Sequence, residues 1–172
     1  MKTTISFVLG ALLILFGSAK SDSLRCVFTQ TSVRSDPNSE YHKLARDILK
    51  ELIEINTTSR YGSTKAVEAM AARLKSAGFP ASDIQVIGPD IQHKNLVLRF
   101  RGNGKLKPVL FICHLDVVEA LCEDWSVDPF TFLEKDGYFY GRGTTDIKNG
   151  DASLIVSLIR LKKEEYIQTV IL

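Results

Sequence analysis

The sequence predicts an α/β fold, a mixed sheet with helices on both faces, and three observations support this prediction. Residues 41–56 and a segment that starts near Thr64 show the apolar period of amphipathic helices, about 3.6 residues. Several short apolar segments between residues 83 and 141 have the length and composition of strands. The segment 108–116, "PVLFICHLD", is apolar on both alternating faces until His114, which is typical of an interior strand.

Composition and charge narrow the possible classes of protein. The 172 residues are 45% hydrophobic and 24% charged, which is typical of a globular domain with a buried core. The formal net charge of +2 comes from scattered side chains without a long basic run, so we expect no nucleic-acid partner. The three cysteines allow at most one internal disulfide bond and do not form a disulfide framework.

The N-terminal residues have the pattern of a targeting segment. Lys2 precedes the apolar run "ISFVLGALLILFG", and the small residues of "GSAKS" follow it. The run is short for a membrane span, and this order is typical of a secretory signal peptide. We therefore predict a signal peptide at 1–19 and a linker at 20–39, with an uncleaved membrane anchor as the alternative. The protein is then expected to be secreted or periplasmic.

Two helices are predicted after the linker. The first lies in "YHKLARDILKELIEIN", where the apolar residues at helical spacing are Leu44, Ile48, Leu52 and Ile55. The second begins near Thr64 and ends before Gly78, because glycine suits the left-handed position after a helix. Its apolar face consists of Val67, Met70, Ala71 and Leu74.

Strands and one more helix follow. The strand candidates are "DIQVIG", "NLVLRFRG", "PVLFICHLDVV" and the shorter "GYFYGRG". From about Lys148, the run "ASLIVSLIRLKK" predicts a buried helix. The last residues, "IQTVIL", predict a further strand, and we expect the chain to stop inside an element.

Two polar segments contain the candidate site residues. His114 and Asp116 share one face at the carboxyl end of the predicted strand, where ligands gather in α/β sheets. Asp146 lies in the loop "GRGTTDIKNGD", just before a helix whose N-terminus favours an ionised carboxylate. Imidazole nitrogens and carboxylate oxygens are zinc ligands. From these residues alone, a metal site and a satisfied polar pair remain equally open.

Three strings in order are more specific: "HLDVV", "DWSVDPF" and "EKDGYFYGRGTTDIKNG". Together they resemble the M20 family of zinc metallopeptidases, which includes glutamate carboxypeptidases and acyl-amino-acid deacylases. The resemblance starts near "ILKELIEINTTS" and implies a zinc exopeptidase-like catalytic domain, with its N-terminal part at residues 40–172. It also implies that His114 is a zinc ligand, that Asp116 is the catalytic aspartate, and that Asp146 bridges two zinc ions.

The resemblance implies further parts that we do not find in this sequence. A Glu-Glu pair is expected after the strand that begins "TVIL", the first glutamate as general base and the second as a zinc ligand. More ligands and a lid or dimerisation domain are expected beyond it, with a homodimer as a possible assembly. We therefore expect a truncated domain that is inactive alone. His42 and His93 match none of the family's ligand motifs.

The function implied by the resemblance is that of an exported zinc-dependent peptidase. A carboxypeptidase or dipeptidase acting on peptides is the leading interpretation, and an N-acyl-amino-acid deacylase is the alternative within enzymes. A non-catalytic secreted binding module is the alternative outside enzymes. The joint presence of His114, Asp116 and Asp146 argues against that last interpretation.

Overall fold

The first helix forms where the apolar period predicts it. In the computed structural model, which describes residues 39–165, helix α1 spans Glu40–Glu54. Ser39 caps its N-terminus, because the Ser39 hydroxyl accepts a hydrogen bond from the backbone N–H of His42 at 3.4 Å. The side chains that α1 buries are Ile48, Leu49, Leu52 and Ile53.

The other two predicted helices are also present. Helix α2 spans Thr64–Ser76 and buries the predicted face together with Ala66. Gly78, just after it, has a φ of +89°, as expected of a left-handed residue after a helix. The third helix, α3, spans Lys148–Lys163 and packs against α1. No helix in the described range has the length and hydrophobicity needed to cross a membrane.

The strands form two separate antiparallel pairs within residues 39–165. Strand β1, Ile84–Ile87, pairs with β2, Asn95–Leu98, and α2 packs against this pair. Strand β3, Leu133–Lys135, pairs with β4, Tyr138–Tyr140. Helices combined with strands confirm the predicted α/β class, although the described strands do not form one mixed sheet.

The hairpin between β3 and β4 shows a strand that was missed in the sequence. Its two-residue loop is Asp136-Gly137, and both residues have positive φ values, 53° and 79°. Asp-Gly is the usual sequence for this kind of tight hairpin, because both positions require a left-handed backbone. The dipeptide was therefore a usable signal for β3.

The prediction of an interior strand at 108–116 is wrong for the described residues. The structure assigns no strand there, and no described strand pairs with this segment. An interior strand needs hydrogen-bonded neighbours on both sides and a cover on both faces. Here Leu110 is 80% exposed and Ile112 is 82% exposed, and Cys113 is exposed instead of buried. The predicted signal peptide, linker residues 20–38 and final strand lie outside the described residues.

The core of the described residues joins the three helices to the β1–β2 pair. Phe79 and Phe100 meet in it edge to face, with ring centroids 5.2 Å apart. Both rings are buried among apolar side chains of α1, α2 and α3. This core leaves the C-terminal end of α1 and the N-terminal end of α3 next to the candidate site.

Candidate metal centre

The segment that carries His114 and Asp116 is held by the residues that follow α1. The hydroxyl of Thr57 donates a hydrogen bond to the carbonyl oxygen of Leu115 at 2.6 Å. The backbone N–H of Val117 donates to the carbonyl oxygen of Thr57 at 3.3 Å. Val117 is buried and Leu115 half-buried, whereas His114 and Asp116 are exposed, so the predicted alternation of faces is present at 114–117. His114 and Asp116 therefore extend away from the core.

Asp146 lies in the loop between β4 and α3. The backbone N–H of Lys148 donates to the carbonyl oxygen of Gly143 at 3.0 Å, which closes the loop around Asp146. Gly143 has a φ of +91°, a conformation that favours glycine. The Asp146 side chain is exposed. The loop therefore presents this carboxylate outside the core, just before the first turn of α3.

The structure brings His114 and Asp146 together, although 32 positions separate them in the chain. The distance from His114 Nε2 to Asp146 Oδ1 is 3.2 Å. The other ring nitrogen, Nδ1, lies 3.2 Å from the backbone carbonyl oxygen of Asp116 and 3.6 Å from Asp116 Oδ1. All three predicted site residues therefore meet at one place.

The contacts of His114 determine which ring nitrogen can bind a metal. A carbonyl oxygen accepts only, so Nδ1 carries a proton and donates to Asp116. In the neutral ring, Nε2 then has a free lone pair that faces Asp146. The hydrogen bond to the Asp116 carbonyl is the main cause that raises the pKa of His114; partial burial opposes it, and the charges of Asp116 and Asp146 add to the rise.

This pair fits a divalent cation by its chemistry and by its separation. Zinc binds nitrogen and carboxylate oxygen at about 2.0–2.2 Å, so two ligands of one tetrahedral ion lie roughly 3.3 Å apart. The observed separation of 3.2 Å agrees with that value. Within residues 39–165, no group of three or more His, Cys, Asp and Glu side chains is arranged to hold a metal. In this part of the chain, His114 and Asp146 are therefore a pair of candidate metal ligands and not a complete metal site.

Lys148, the first residue of α3, has a role near the site that its position at the start of a predicted helix did not indicate. Its side chain is fully buried, and its ammonium donates to the carbonyl oxygens of Leu52 at 2.7 Å and Ile55 at 3.0 Å. These carbonyls lie at the C-terminal end of α1, where backbone acceptors lack helical partners. Burial lowers the pKa of Lys148 to about 8, against an opposing effect of Asp151. Lys148 therefore links the start of α3 to the end of α1.

Asp151 is a second buried charged residue that sequence reasoning missed. It is only 6% exposed, and burial raises its pKa to about 6. The charge of His114, the hydrogen bond with Cys113 and the charge of Lys148 act in the opposite direction. Lys148 and Asp151 stand three positions apart on the buried face of α3, so helical periodicity was a signal for both.

The loops beside the site are held by Trp125 and Arg142. The guanidinium of Arg142 lies 5.0 Å from the centre of the Trp125 ring and donates to the carbonyl oxygen of Glu119 at 3.3 Å. The backbone N–H of Arg142 donates to the carbonyl oxygen of Pro129 at 2.7 Å. These contacts give Arg142 and Trp125 a structural role beside the site.

A cavity of about 850 Å³ lies beside His114 and Asp116. Side chains of α2, β2, α3 and the 110–118 segment line it, and most of them are apolar. His93 also lines this cavity, but its ring pairs with Asp90 at 2.9 Å and does not reach His114 or Asp146.

Part of this chain is similar to a known family of peptidases. Residues 110–172 match the model of the peptidase family M20/M25/M40, a span that contains His114, Asp116 and Asp146. In the solved structure of human carnosine dipeptidase 1, the likeness covers 76% of this chain and 30% of that chain, with a TM-score of 0.63 and 24% identity. This likeness shows the fold alone, and it agrees with the predicted α/β catalytic domain.

Three relatives are similar to part of this chain. A probable succinyl-diaminopimelate desuccinylase of Staphylococcus aureus (strain Mu50) is 43% identical over 75 residues, which are 42% of this chain and 18% of that protein. The succinyl-diaminopimelate desuccinylase of a Wolbachia species from Brugia malayi is 35% identical over 102 residues, 59% of this chain and 25% of that protein. The human N-fatty-acyl-amino acid synthase/hydrolase is 48% identical over 66 residues, 38% of this chain and 13% of that protein.

The chain spans a quarter or less of the length of these curated relatives. The similarity nevertheless includes the family match over the segment that holds all three candidate site residues. Two of these relatives are named as desuccinylases and one as an N-fatty-acyl-amino acid synthase/hydrolase, and the solved structure has a similar fold. Residues 110–172 of this chain are therefore similar to the peptidase family M20/M25/M40, and the relatives and the shared fold agree with this similarity.

Proposed function

We propose that this chain forms the metal-binding part of a zinc-dependent hydrolase that cleaves amide bonds. One observation carries the proposal: His114 Nε2 and Asp146 Oδ1, from two separate segments, lie 3.2 Å apart while His114 Nδ1 is bound to the Asp116 carbonyl. Metal-binding histidines usually have their second ring nitrogen held in this way. The match to the peptidase family M20/M25/M40 and the relatives named as a desuccinylase and as a synthase/hydrolase support the same chemistry.

Each residue has a separate role in this proposal. His114 and Asp146 would hold zinc, and the two oxygens of the Asp146 carboxylate would allow it to bridge two ions. When bound, zinc polarises the amide carbonyl as a Lewis acid. The backbone carbonyl of Asp116 fixes the proton on His114 Nδ1, so that Nε2 keeps its lone pair. The Asp116 carboxylate lies beside the ring as the proposed catalytic aspartate.

For the substrate, we propose a peptide, cleaved by a carboxypeptidase or dipeptidase type of activity. An N-acyl amino acid is the second candidate, and the names of the relatives favour it: two are desuccinylases and one is an N-fatty-acyl-amino acid synthase/hydrolase. Both reactions cleave an amide bond, so the same metal chemistry serves either. The two candidates differ in the group on the carbonyl side of that bond.

The test uses the complete protein and two variants, His114→Ala and Asp146→Ala, with His42→Ala as the matched control. We expect each site variant to weaken zinc binding by more than the roughly 10–100-fold that follows loss of an orienting partner. Zinc is measured by elemental analysis after dialysis, and hydrolysis is measured on dipeptides and on N-acetyl amino acids. Unchanged zinc content in both site variants would reject the metal assignment, and a strong preference for acylated substrates would reject the peptidase.

The 172 residues by themselves are expected to bind zinc weakly and to be inactive. Catalytic zinc usually has three protein ligands, and only His114 and Asp146 are proposed as ligands in this chain. Zinc-dependent turnover by this chain that is abolished by Asp116→Ala would contradict this expectation. It would mean that other residues of the chain complete the site.

We also propose that the protein is exported to the cell exterior or periplasm. The support is the order of Lys2, the apolar run and the small residues before Lys20. Sequencing the N-terminus of the protein from its natural source tests this, and a mature protein that begins at Met1 would contradict cleavage.

A further inference from the structure

We propose that Thr57 is a positioning residue that sets the place of the His114–Asp116 segment relative to Asp146. The inference rests on the proposed function only for the purpose of this positioning, which is metal binding. The contacts themselves are two hydrogen bonds, one from the Thr57 hydroxyl to the Leu115 carbonyl at 2.6 Å and one from the Val117 N–H to the Thr57 carbonyl at 3.3 Å. They bind the backbone on both sides of Asp116.

The path from Thr57 to the candidate ligand is short. The carbonyl of Asp116, between the two tethered residues, accepts the hydrogen bond from His114 Nδ1. A shift of this backbone would move the acceptor, and the imidazole would turn with it. Nε2 would then leave its position 3.2 Å from Asp146 Oδ1. Thr57 thus acts through the backbone and does not itself touch the candidate metal donors.

The loop that carries Asp146 is held to the same part of the chain, the segment just before Thr57, through Lys148. Lys148, two positions after Asp146, donates to the carbonyls of Leu52 and Ile55. The segment from Leu52 to Thr57 therefore contacts both halves of the site. Its contacts with Lys148 are buried or partly buried, and Thr57 is fully buried, so water does not compete freely for these hydrogen bonds.

The next residue in the chain offers a matched control. Thr58 is also 0% exposed, but its hydroxyl has no hydrogen-bond partner among residues 39–165. Threonine to valine keeps the shape and removes the hydroxyl. Thr57→Val therefore removes the tether to Leu115, whereas Thr58→Val removes a buried hydroxyl that makes no contact of this kind.

The experiment compares Thr57→Val, Thr57→Ser, Thr57→Ala and Thr58→Val in the complete protein. Zinc alone is titrated by calorimetry, the His114 ring nitrogens are followed by NMR, and exchange of the Val117 amide is measured. We expect Thr57→Val to weaken zinc binding roughly tenfold, to shift the His114 nitrogen signals and to speed Val117 exchange. Thr57→Ser, which keeps the hydroxyl, and Thr58→Val should resemble the wild type.

Each outcome decides the inference. Wild-type His114 signals and Val117 exchange in Thr57→Val, or equal effects in Thr58→Val, would overturn it. If Thr57→Val does not fold, the Ser and Ala variants decide, because they differ only in the hydroxyl: equal behaviour overturns the role of the tether. If the wild type binds no zinc, the metal proposal fails by itself, and the NMR and exchange measurements still decide whether Thr57 positions the segment.

Discussion

The two ring nitrogens of His114 have different neighbours: Nδ1 faces the carbonyl and carboxylate of Asp116, and Nε2 faces the carboxylate of Asp146. A carbonyl oxygen at Nδ1 and a carboxylate oxygen at Nε2 can be satisfied by a protonated ring or by a ring bound to a cation. The Asp116 carbonyl defines which nitrogen keeps the proton when the ring is neutral. Residue identity alone did not provide this assignment, because it depends on where the ring points.

The ion pair His93–Asp90 is expected to make the stability of the protein depend on pH. Its hydrogen bond and then its charge interaction raise the pKa of His93 above the ordinary 6.5, and the same hydrogen bond lowers the pKa of Asp90 below 3.8. The His93 contribution to stability is present below pH 6.5 and is lost as the pH rises through the raised pKa. The Asp90 contribution is present above pH 3.8 and is lost as the pH falls through the lowered pKa.

Asp90→Asn is therefore expected to bring the pKa of His93 down towards 6.5 and to remove the associated loss of stability above that pH. NMR titration of the His93 ring measures the pKa, and urea unfolding at several pH values measures stability. Asp47→Asn, on the exposed side of α1, removes the same charge elsewhere as a control. A His93 titration identical in Asp90→Asn and the wild type would contradict the prediction.

At the scale of elements, the loop between β4 and α3 packs tightly beside the site. A Cβ atom on Gly143 would lie 2.9 Å from Lys148 Cδ and 3.0 Å from Val117 Cγ1. Both neighbouring residues are buried and have little room to move. Gly143 thus allows the loop, the start of α3 and the 114–117 segment to approach each other. Glycine is therefore favoured at position 143 for two reasons: the positive φ of the backbone and the lack of space for a side chain.

Gly143→Ala and Gly137→Ala separate these two reasons. Both glycines have positive φ, 91° and 79°, but a Cβ on Gly137 would meet nothing within 4 Å. Each substitution should cost about 1–3 kcal/mol of unfolding free energy from the backbone. Gly143→Ala should cost about 1–3 kcal/mol more because it overpacks Lys148 and Val117. Urea unfolding measures the difference, and equal losses would show that these neighbours yield freely.

At the scale of the whole described molecule, the segment 109–112 is the main exposed apolar feature near the cavity. Its side chains Val109, Leu110, Phe111 and Ile112 are all exposed. Such a contiguous apolar segment with no strand partner among residues 39–165 is a site for association between chains. We therefore expect the 172 residues alone to associate through this segment.

Ile112→Thr is expected to reduce association of the chain, because it removes apolar surface from this segment. Ile91→Thr is the matched control: Ile91 is 79% exposed and Ile112 is 82% exposed, but Ile91 lies in the loop between β1 and β2. Sedimentation velocity over a range of concentrations measures the change. The same reduction in both variants would mean that general hydrophobicity, not this segment, causes association.

The sequence by itself determined the three helices and the identity of the candidate site residues. Helices arise from contacts three and four positions apart, so the apolar period and the glycine after α2 are visible in the chain. The strings around His114, Asp116 and Asp146 also indicated the similarity to the peptidase family M20/M25/M40 that residues 110–172 show. Strand β3 was missed although its Asp-Gly turn is just as local.

Only the tertiary structure decided which residues meet at the site and which support it. The contact from Thr57 to Leu115 joins residues 58 positions apart, and that from Lys148 to Leu52 joins residues 96 apart, so neither leaves a local pattern. Strand pairing is non-local in the same way. The alternation at 108–116 therefore did not reveal whether neighbouring strands would cover it, and in the described residues Leu110 and Ile112 are exposed. Local periodicity specifies an element, whereas burial and hydrogen bonding between distant segments specify its surroundings.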